Sequence, residues 1–180
     1  RAKLSQDPYR TIEIHLASAS LQSENDDFDG ALASLDETIE KYGDHPESEN
    51  LFDVLQMRHS LKPFELPQSY TEAIDGERLS LAARFGLLQA LELRKQDQPF
   101  RSKEIALKVA NEIPLEKLSP ECLAYIGLDL VKLDFDSGVS LLEELVNLYP
   151  ESEYRSFAYF GFAQKEADAT QLDTALGWLN

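Results

Sequence analysis

Apolar residues in this chain return with the helical period along most of its length. Tyr154, Phe157, Ala158, Gly161, Phe162 and Lys165 fall at i, i+3, i+4, i+7, i+8 and i+11, one stripe of an α-helix. The preceding segment carries two stripes, Val139, Leu142, Val146 and Tyr149 beside Leu141, Leu145 and Leu148. A helix with two apolar stripes is expected to lie sandwiched between neighbours. Such patterns predict helices near 8–23, 27–42, 47–61, 77–96, 99–113, 119–133, 135–149, 151–166 and 170–180. Pro63, Pro67 and Gly76 punctuate the stretch 62–76, which is expected to hold at most a short turn of helix around Tyr70 to Ile74. No run of alternating β-branched residues suggests a sheet, so the fold class is all-α.

The pattern repeats. Pro-Glu-Ser-Glu occurs at Pro46 to Glu49 and again at Pro150 to Glu153, 104 residues apart, each time after a segment of the type Phe28-Asp-Gly-Ala-Leu or Phe135-Asp-Ser-Gly-Val. A second recurrence, Ala-x-x-Gly-apolar, appears at Ala83 to Leu87, Ala124 to Leu128 and Ala158 to Phe162. The glycines Gly86, Gly127 and Gly161 stand 41 and 34 residues apart, and Met57 takes the equivalent place 29 before Gly86. A fixed supersecondary unit repeated at this period marks an array. Pro46 and Pro150 are expected in the first turn of the next helix, where a missing N–H is tolerated and a following Glu suits the helix dipole.

On these residues the chain resembles the tetratricopeptide repeat family, a helix–turn–helix unit of 34 residues with a Gly in the first helix, a small residue early in the second and a closing Pro. The small positions are Ala31, Gly138 and Ala175, and the closing prolines are Pro114 and Pro150. The resemblance spans nearly the whole chain, about four and a half units, with one unit degenerate. It implies a right-handed superhelical solenoid of antiparallel helix pairs forming a single domain over 1–180, with the irregular connection at 62–76. The turn from Tyr149 to Tyr154 is similar to units of bacterial envelope proteins of the outer-membrane assembly lipoprotein and Tol-Pal coordinator type, which implies a periplasmic or cell-envelope setting.

Composition narrows the function. Lys and Arg number 17 against 33 Asp and Glu, a net charge of −16, which argues against nucleic acid. No stretch approaches the roughly 20 apolar residues of a membrane span, so no direct insertion is expected. Cys122 stands alone and forms no intrachain disulfide. The chain starts at Arg1 and stops at Asn180 inside an apolar pattern, so it is expected to be a piece of a longer one. The last segment carries Leu172, Leu176, Trp178 and Leu179, which makes self-association an expectation.

Candidate chemistry is thin. Asn25, Asp27 and Asp29 with Gly30 and Asp36 mimic the spacing of an EF-hand, but Asn and Asp stand where a strong first carboxylate and a bidentate Glu belong. Phe28-Asp29 also corresponds to Phe135-Asp136 and Leu172-Asp173, so the acidic turn is better understood as a helix start. His15, His45 and His59 lack a partner at metal spacing, and no nucleophile–base pair or Gly-rich phosphate loop stands out. Neither a cofactor nor a metal nor a catalytic residue is expected.

The resemblance instead implies a non-enzymatic protein-interaction scaffold that binds a protein or peptide on its concave face. Carried over residue by residue, that groove comprises Ala83, Leu87 and Ala90, then Ala124, Leu128 and Lys132, then Arg155, Ala158 and Phe162. Ala124, Leu128, Ala158 and Phe162 occupy the positions where the family's carboxylate clamp needs Lys and Asn, so an apolar helix face or extended peptide is the expected ligand. Phe162 would be the anchor, Leu128 and Leu87 the strip, and Lys132 and Arg155 the flanking charges. The other classes are a docking arm of a larger enzyme or envelope complex and a calcium-responsive module on the Asn25 to Asp36 turn.

Overall fold

The computed structural model of the chain describes residues 8–48, 50–131 and 135–168. Among these residues there are nine α-helices and no strand: α1 (Pro8–Glu24), α2 (Phe28–Tyr42), α3 (Leu51–Leu61), α4 (Leu66–Asp75), α5 (Leu79–Lys95), α6 (Pro99–Glu112), α7 (Pro120–Val131), α8 (Phe135–Leu148) and α9 (Arg155–Asp168). A single 3₁₀ turn, Leu115–Lys117, joins α6 to α7. The expected helix at 170–180 lies outside the described residues.

Sequential helices pack on one another: α1 on α2, α2 on α3, α4 on α5, α5 on α6, α6 on α7, α7 on α8 and α8 on α9. Odd-numbered helices also touch, α1 with α3, α5 with α7 and α7 with α9. The core follows this order, from Ile12 and Leu35 through Leu55, Leu88 and Leu123 to Leu142 and Leu145. As its two stripes require, α8 is wedged between α7 and α9, with Val139, Leu141, Leu142 and Leu145 buried and Leu148 left 41% exposed at its end.

Glycines mark the close approaches. A Cβ on Gly127 would stand 2.8 Å from Leu142 Cδ2, and one on Gly161 would collide with the other methyl of the same leucine. A Cβ on Gly138 would lie 2.7 Å from the Leu130 carbonyl carbon, so α7 and α8 cross almost backbone to backbone. At Gly86 the neighbours are Val109 of α6 and Tyr70 of α4. A helix-interior Gly is unfavourable by about 1 kcal/mol relative to Ala, and here it admits the leucine or valine of the next helix.

Three interhelical turns share one geometry. Asp26, Glu77 and Asp97 adopt φ of 61°, 58° and 57°. The residue after each closes a bond to the carbonyl five before it, Asp27 to Gln22, Arg78 to Ala73 and Gln98 to Leu93, at 2.8 to 2.9 Å. These are Schellman closures with acidic residues in the left-handed position that glycine usually takes.

Two sequence expectations are corrected. The stretch 62–76 contains a ten-residue helix, α4, rather than a short turn. Pro67 lies in its first turn and starts the helix instead of breaking it. The Pro-Glu-Ser-Glu tetrapeptides are not helix starts. In both copies the Ser N–H bonds the carbonyl three residues earlier (His45 or Tyr149), and the Ser carbonyl accepts from Leu51 or Arg155, where the helix then begins. The chain makes two successive turns there, because the residue before Pro is driven out of the α region.

Candidate functional site

The first of these turns is held by a buried arginine. Arg84, on α5, is fully shielded from water, and all five of its N–H groups find acceptors. Nε donates to Glu121 Oε1 of α7 at 2.7 Å. Nη1 donates to the carbonyls of Gly43 and His45 at 3.2 and 3.1 Å, and Nη2 to those of Pro46 and Ser48 at 3.2 and 3.1 Å. Beside it Arg78 donates to the Ile39 and Glu40 carbonyls that end α2, while Asp44 accepts the Ser80 N–H at 2.9 Å in the first turn of α5. The start of α5 thus clamps the segment 39–48.

α5 also bounds a cleft. Where α3 and α5 diverge, a cavity of about 690 Å³ opens, lined by Asp53, Gln56, Met57, His59, Ser60 and Pro63 from the α3 side and by Leu88, Glu92 and Lys95 from α5. Phe64 keeps the two helices in register across the non-helical link. Its ring meets Phe85 edge-on at 5.1 Å, stacks on His59 at 5.9 Å and lies 4.3 Å from the Arg58 guanidinium carbon. Its N–H donates to His59 Nδ1 at 2.9 Å. Glu92 and Lys95 pair with each other at 2.7 Å, so the α5 end of the cleft is neutral.

The α3 end is acidic. Partial desolvation raises the Asp53 carboxyl above its usual range, and the charge of Glu153 raises it further. The Tyr154 hydroxyl is raised first by burial, then by Glu121 and Asp53. Tyr154, Tyr125 and Phe157 form a mutually contacting cluster with centroids 5.3 to 6.1 Å apart. One Glu121 oxygen, Oε2, is buried with no hydrogen-bond partner.

The expected groove residues do not form one open strip. Leu87 is 2% exposed and Ala83, Ala90, Ala124 and Ala158 are buried, so this part of the strip is core. The cause is the motif itself: residues flanking Gly86, Gly127 and Gly161 lie where helices approach most closely. Leu128 is half-buried and borders a shallow depression of about 300 Å³ with Ser156, Phe157 and Phe160. Phe157 and the 49% exposed Phe160, not Phe162, are the aromatics there; Phe162 packs against the core and meets Tyr159 edge-on at 6.5 Å. Arg155 donates to the Pro150 carbonyl at 2.5 Å and lies over the Tyr159 ring, so it braces its own turn. Lys132 is outside the described residues.

The remaining candidates are absorbed by structure. Asp27 accepts the Gly30 N–H at 3.1 Å as the cap of α2, Asn25 donates to the Leu21 carbonyl at 2.7 Å, and Asp36 pairs with Arg58 at 2.8 Å. The EF-hand-like positions are therefore dispersed among separate partners. His15 Nδ1 lies 2.8 Å from the Thr38 hydroxyl. Cys122 is buried, and desolvation followed by the Glu121 charge pushes its thiol up to about 12.

Sequence reasoning missed Arg84, Asp53 and the cleft. Arg84 had a visible signal: it occupies the position of Tyr125 and Tyr159 in the Ala-x-x-Gly motif, a charge inside an otherwise apolar run from Leu81 to Leu88. Asp53 had none, because its significance depends on Glu153, 100 residues later. Comparison with family models, with curated proteins and with solved structures finds no significant match.

Proposed function

We propose that this chain is a tetratricopeptide-like solenoid acting as a non-enzymatic scaffold, and that it binds a peptide segment of a protein partner on the side of its odd-numbered helices. The observation that carries this reading is the cleft between α3 and α5, about 690 Å³ and walled by side chains of both helices. The alternating contacts of odd helices with odd, together with the glycines at 41 and 34 residue spacing, support the solenoid. An open, mixed polar and apolar cleft of this size suits an extended chain.

The test is to block the cleft. Ser60 is exposed on its wall. Partner proteins captured by the parent chain are re-measured against Ser60→Trp and against Glu143→Ala on the distant α8. Loss of binding with Ser60→Trp alone supports the reading. Equal binding by both variants overturns it.

The apolar depression at Leu128, Phe157 and Phe160 favours a second reading, self-association through α7 and α9. Sedimentation of Phe160→Asp across a concentration series tests it: a parent that associates and a variant that stays monomeric support it.

A further inference from the structure

Resting on the reading of the α3–α5 cleft as a peptide site, we propose that His59 is its hydrogen-bond donor. The Nε2–H of His59 takes a backbone carbonyl from an uncharged, extended segment of another protein.

The tautomer follows from one bond. The Phe64 N–H, which can only donate, meets His59 Nδ1 at 2.9 Å. Nδ1 therefore presents a lone pair, and in the neutral ring the proton sits on Nε2. Phe64 also covers one face of the imidazole, the two rings stacked at 5.9 Å with 17° between their planes. Phe64 is itself held by Phe85 and by the Arg58 guanidinium, so the imidazole has a fixed support. Among the described residues Nε2 is left as its uncommitted polar atom.

The ring stands between two cavities. It lines the α3–α5 cleft, and together with Glu92 it also lines a second hollow of about 250 Å³. The two cavities share His59 and Glu92, so they adjoin across the imidazole. A segment running through both passes this ring. Met57 and Leu88 offer apolar surface in the cleft, and Phe64, Leu66 and Leu93 offer it in the hollow.

Charge and backbone chemistry select the acceptor. Glu92 is paired with Lys95 at 2.7 Å, so the shared point is close to neutral. A carboxylate arriving there would meet those of Glu92 and Asp53, which line the same cleft, whereas a peptide carbonyl brings no charge. A helical ligand spends its carbonyls on its own N–H groups. An extended segment leaves them free to accept.

The experiment has two arms. Long-range proton–nitrogen NMR of the parent in mildly alkaline solution, assigned with His59→Asn, reads the tautomer. A protonated Nε2 and a bare Nδ1 are expected, and the reverse overturns the proposal. In the second arm a random linear-peptide library is selected on the parent. Enriched peptides are titrated by fluorescence anisotropy against the parent, His59→Asn, His59→Gln, Ser60→Trp and the α8 control Glu143→Gln, each checked for helicity by circular dichroism. Asn can still accept the Phe64 N–H but places nothing where Nε2 stood; the longer Gln places an amide there. The expected loss of affinity is about tenfold for His59→Asn, one hydrogen bond's worth. It is smaller for His59→Gln and absent for Glu143→Gln. Because the contact is to backbone, the His59→Asn loss persists when each peptide side chain in turn becomes Ala.

Peptides that Ser60→Trp blocks but His59→Asn leaves untouched overturn the donor and leave the scaffold intact. A peptide side chain whose removal abolishes the sensitivity to His59 also overturns it, since that side chain would be the acceptor. Binding to the parent is expected to shift the Nε2 resonance, and an unmoved Nε2 overturns the proposal even where a His59 variant fails to fold. Enriched peptides insensitive to Ser60→Trp, or no enrichment at all, overturn both readings.

Discussion

Arg84 of α5 and Glu121 of α7 form an ion pair at 2.7 Å with both side chains at 0% exposure. The pair does more than join two helices. Through its other four N–H groups Arg84 reaches four carbonyls of one turn, Gly43, His45, Pro46 and Ser48, of which those of His45 and Ser48 also accept a backbone N–H. Breaking a buried pair leaves the partner charge uncompensated, which costs about 3–5 kcal/mol. Arg84→Met is expected to destabilise the fold by that amount in urea unfolding. Glu121→Gln should cost less, because the turn keeps its donors. A loss below about 1 kcal/mol for Arg84→Met, typical of an ordinary surface change, would show the clamp to be dispensable.

Leu142 occupies the space left by two glycines, Gly127 and Gly161, on either side of α8. Gly127→Ala would place a methyl 2.8 Å from Leu142 Cδ2 and 3.3 Å from the Gly138 carbonyl. Overpacking of this kind destabilises by roughly 1–3 kcal/mol. The companion change Leu142→Ala should recover part of the Gly127→Ala loss in a double-mutant cycle. Strict additivity of the two would mean that they do not meet.

Glu77 holds φ at 58° while the glycine beside it, Gly76, sits at −84°. The left-handed conformation costs an L-residue about 1–2 kcal/mol, less the extra unfolded-state entropy of glycine. Glu77→Gly is therefore expected to raise stability by about 0.5–1 kcal/mol. Differential scanning calorimetry checks it; a lowered Tm would remove the strain argument.

The Asp53 carboxyl titrates above its ordinary value of 3.8, first from desolvation and then from Glu153. Glu153→Gln should lower that pKa, read by carbon-13 titration of the Asp53 carboxyl. The sign for stability follows. A carboxyl with a raised folded pKa is disfavoured when ionised, so the penalty is complete above the folded pKa and fades as pH falls through it. Any stabilisation by Glu153→Gln at neutral pH should shrink on acidification and vanish well below 3.8. An unchanged Asp53 titration would separate the two residues.

Cys122, buried with its thiol raised to about 12, is expected to resist alkylation at pH 8 in the folded protein and to react fully in denaturant. Mass spectrometry after iodoacetamide treatment reads both states.

The helices themselves were legible from pattern. The stripes of α8, the glycines at Gly127 and Gly161 and most helix limits follow from local periodicity, because a helical face is set by residues three and four apart. Helix α4 was hidden since Pro67 reads equally as a breaker or as a first-turn residue, and packing of Tyr70 and Ala73 on α5 and α6 decides between them. The burial of the expected groove residues was hidden for a related reason. Periodicity reports which face of α5 or α7 is apolar, but burial of Leu87 and exposure of Phe160 depend on how neighbouring helices splay. The sequence alone thus determined the all-helical class and the close-packed glycine positions. Only the tertiary structure decided the Arg84 clamp and the cleft between α3 and α5. Each of these joins residues tens of positions apart, and the Coulomb and hydrogen-bond energies that make them matter depend on distances no local pattern carries.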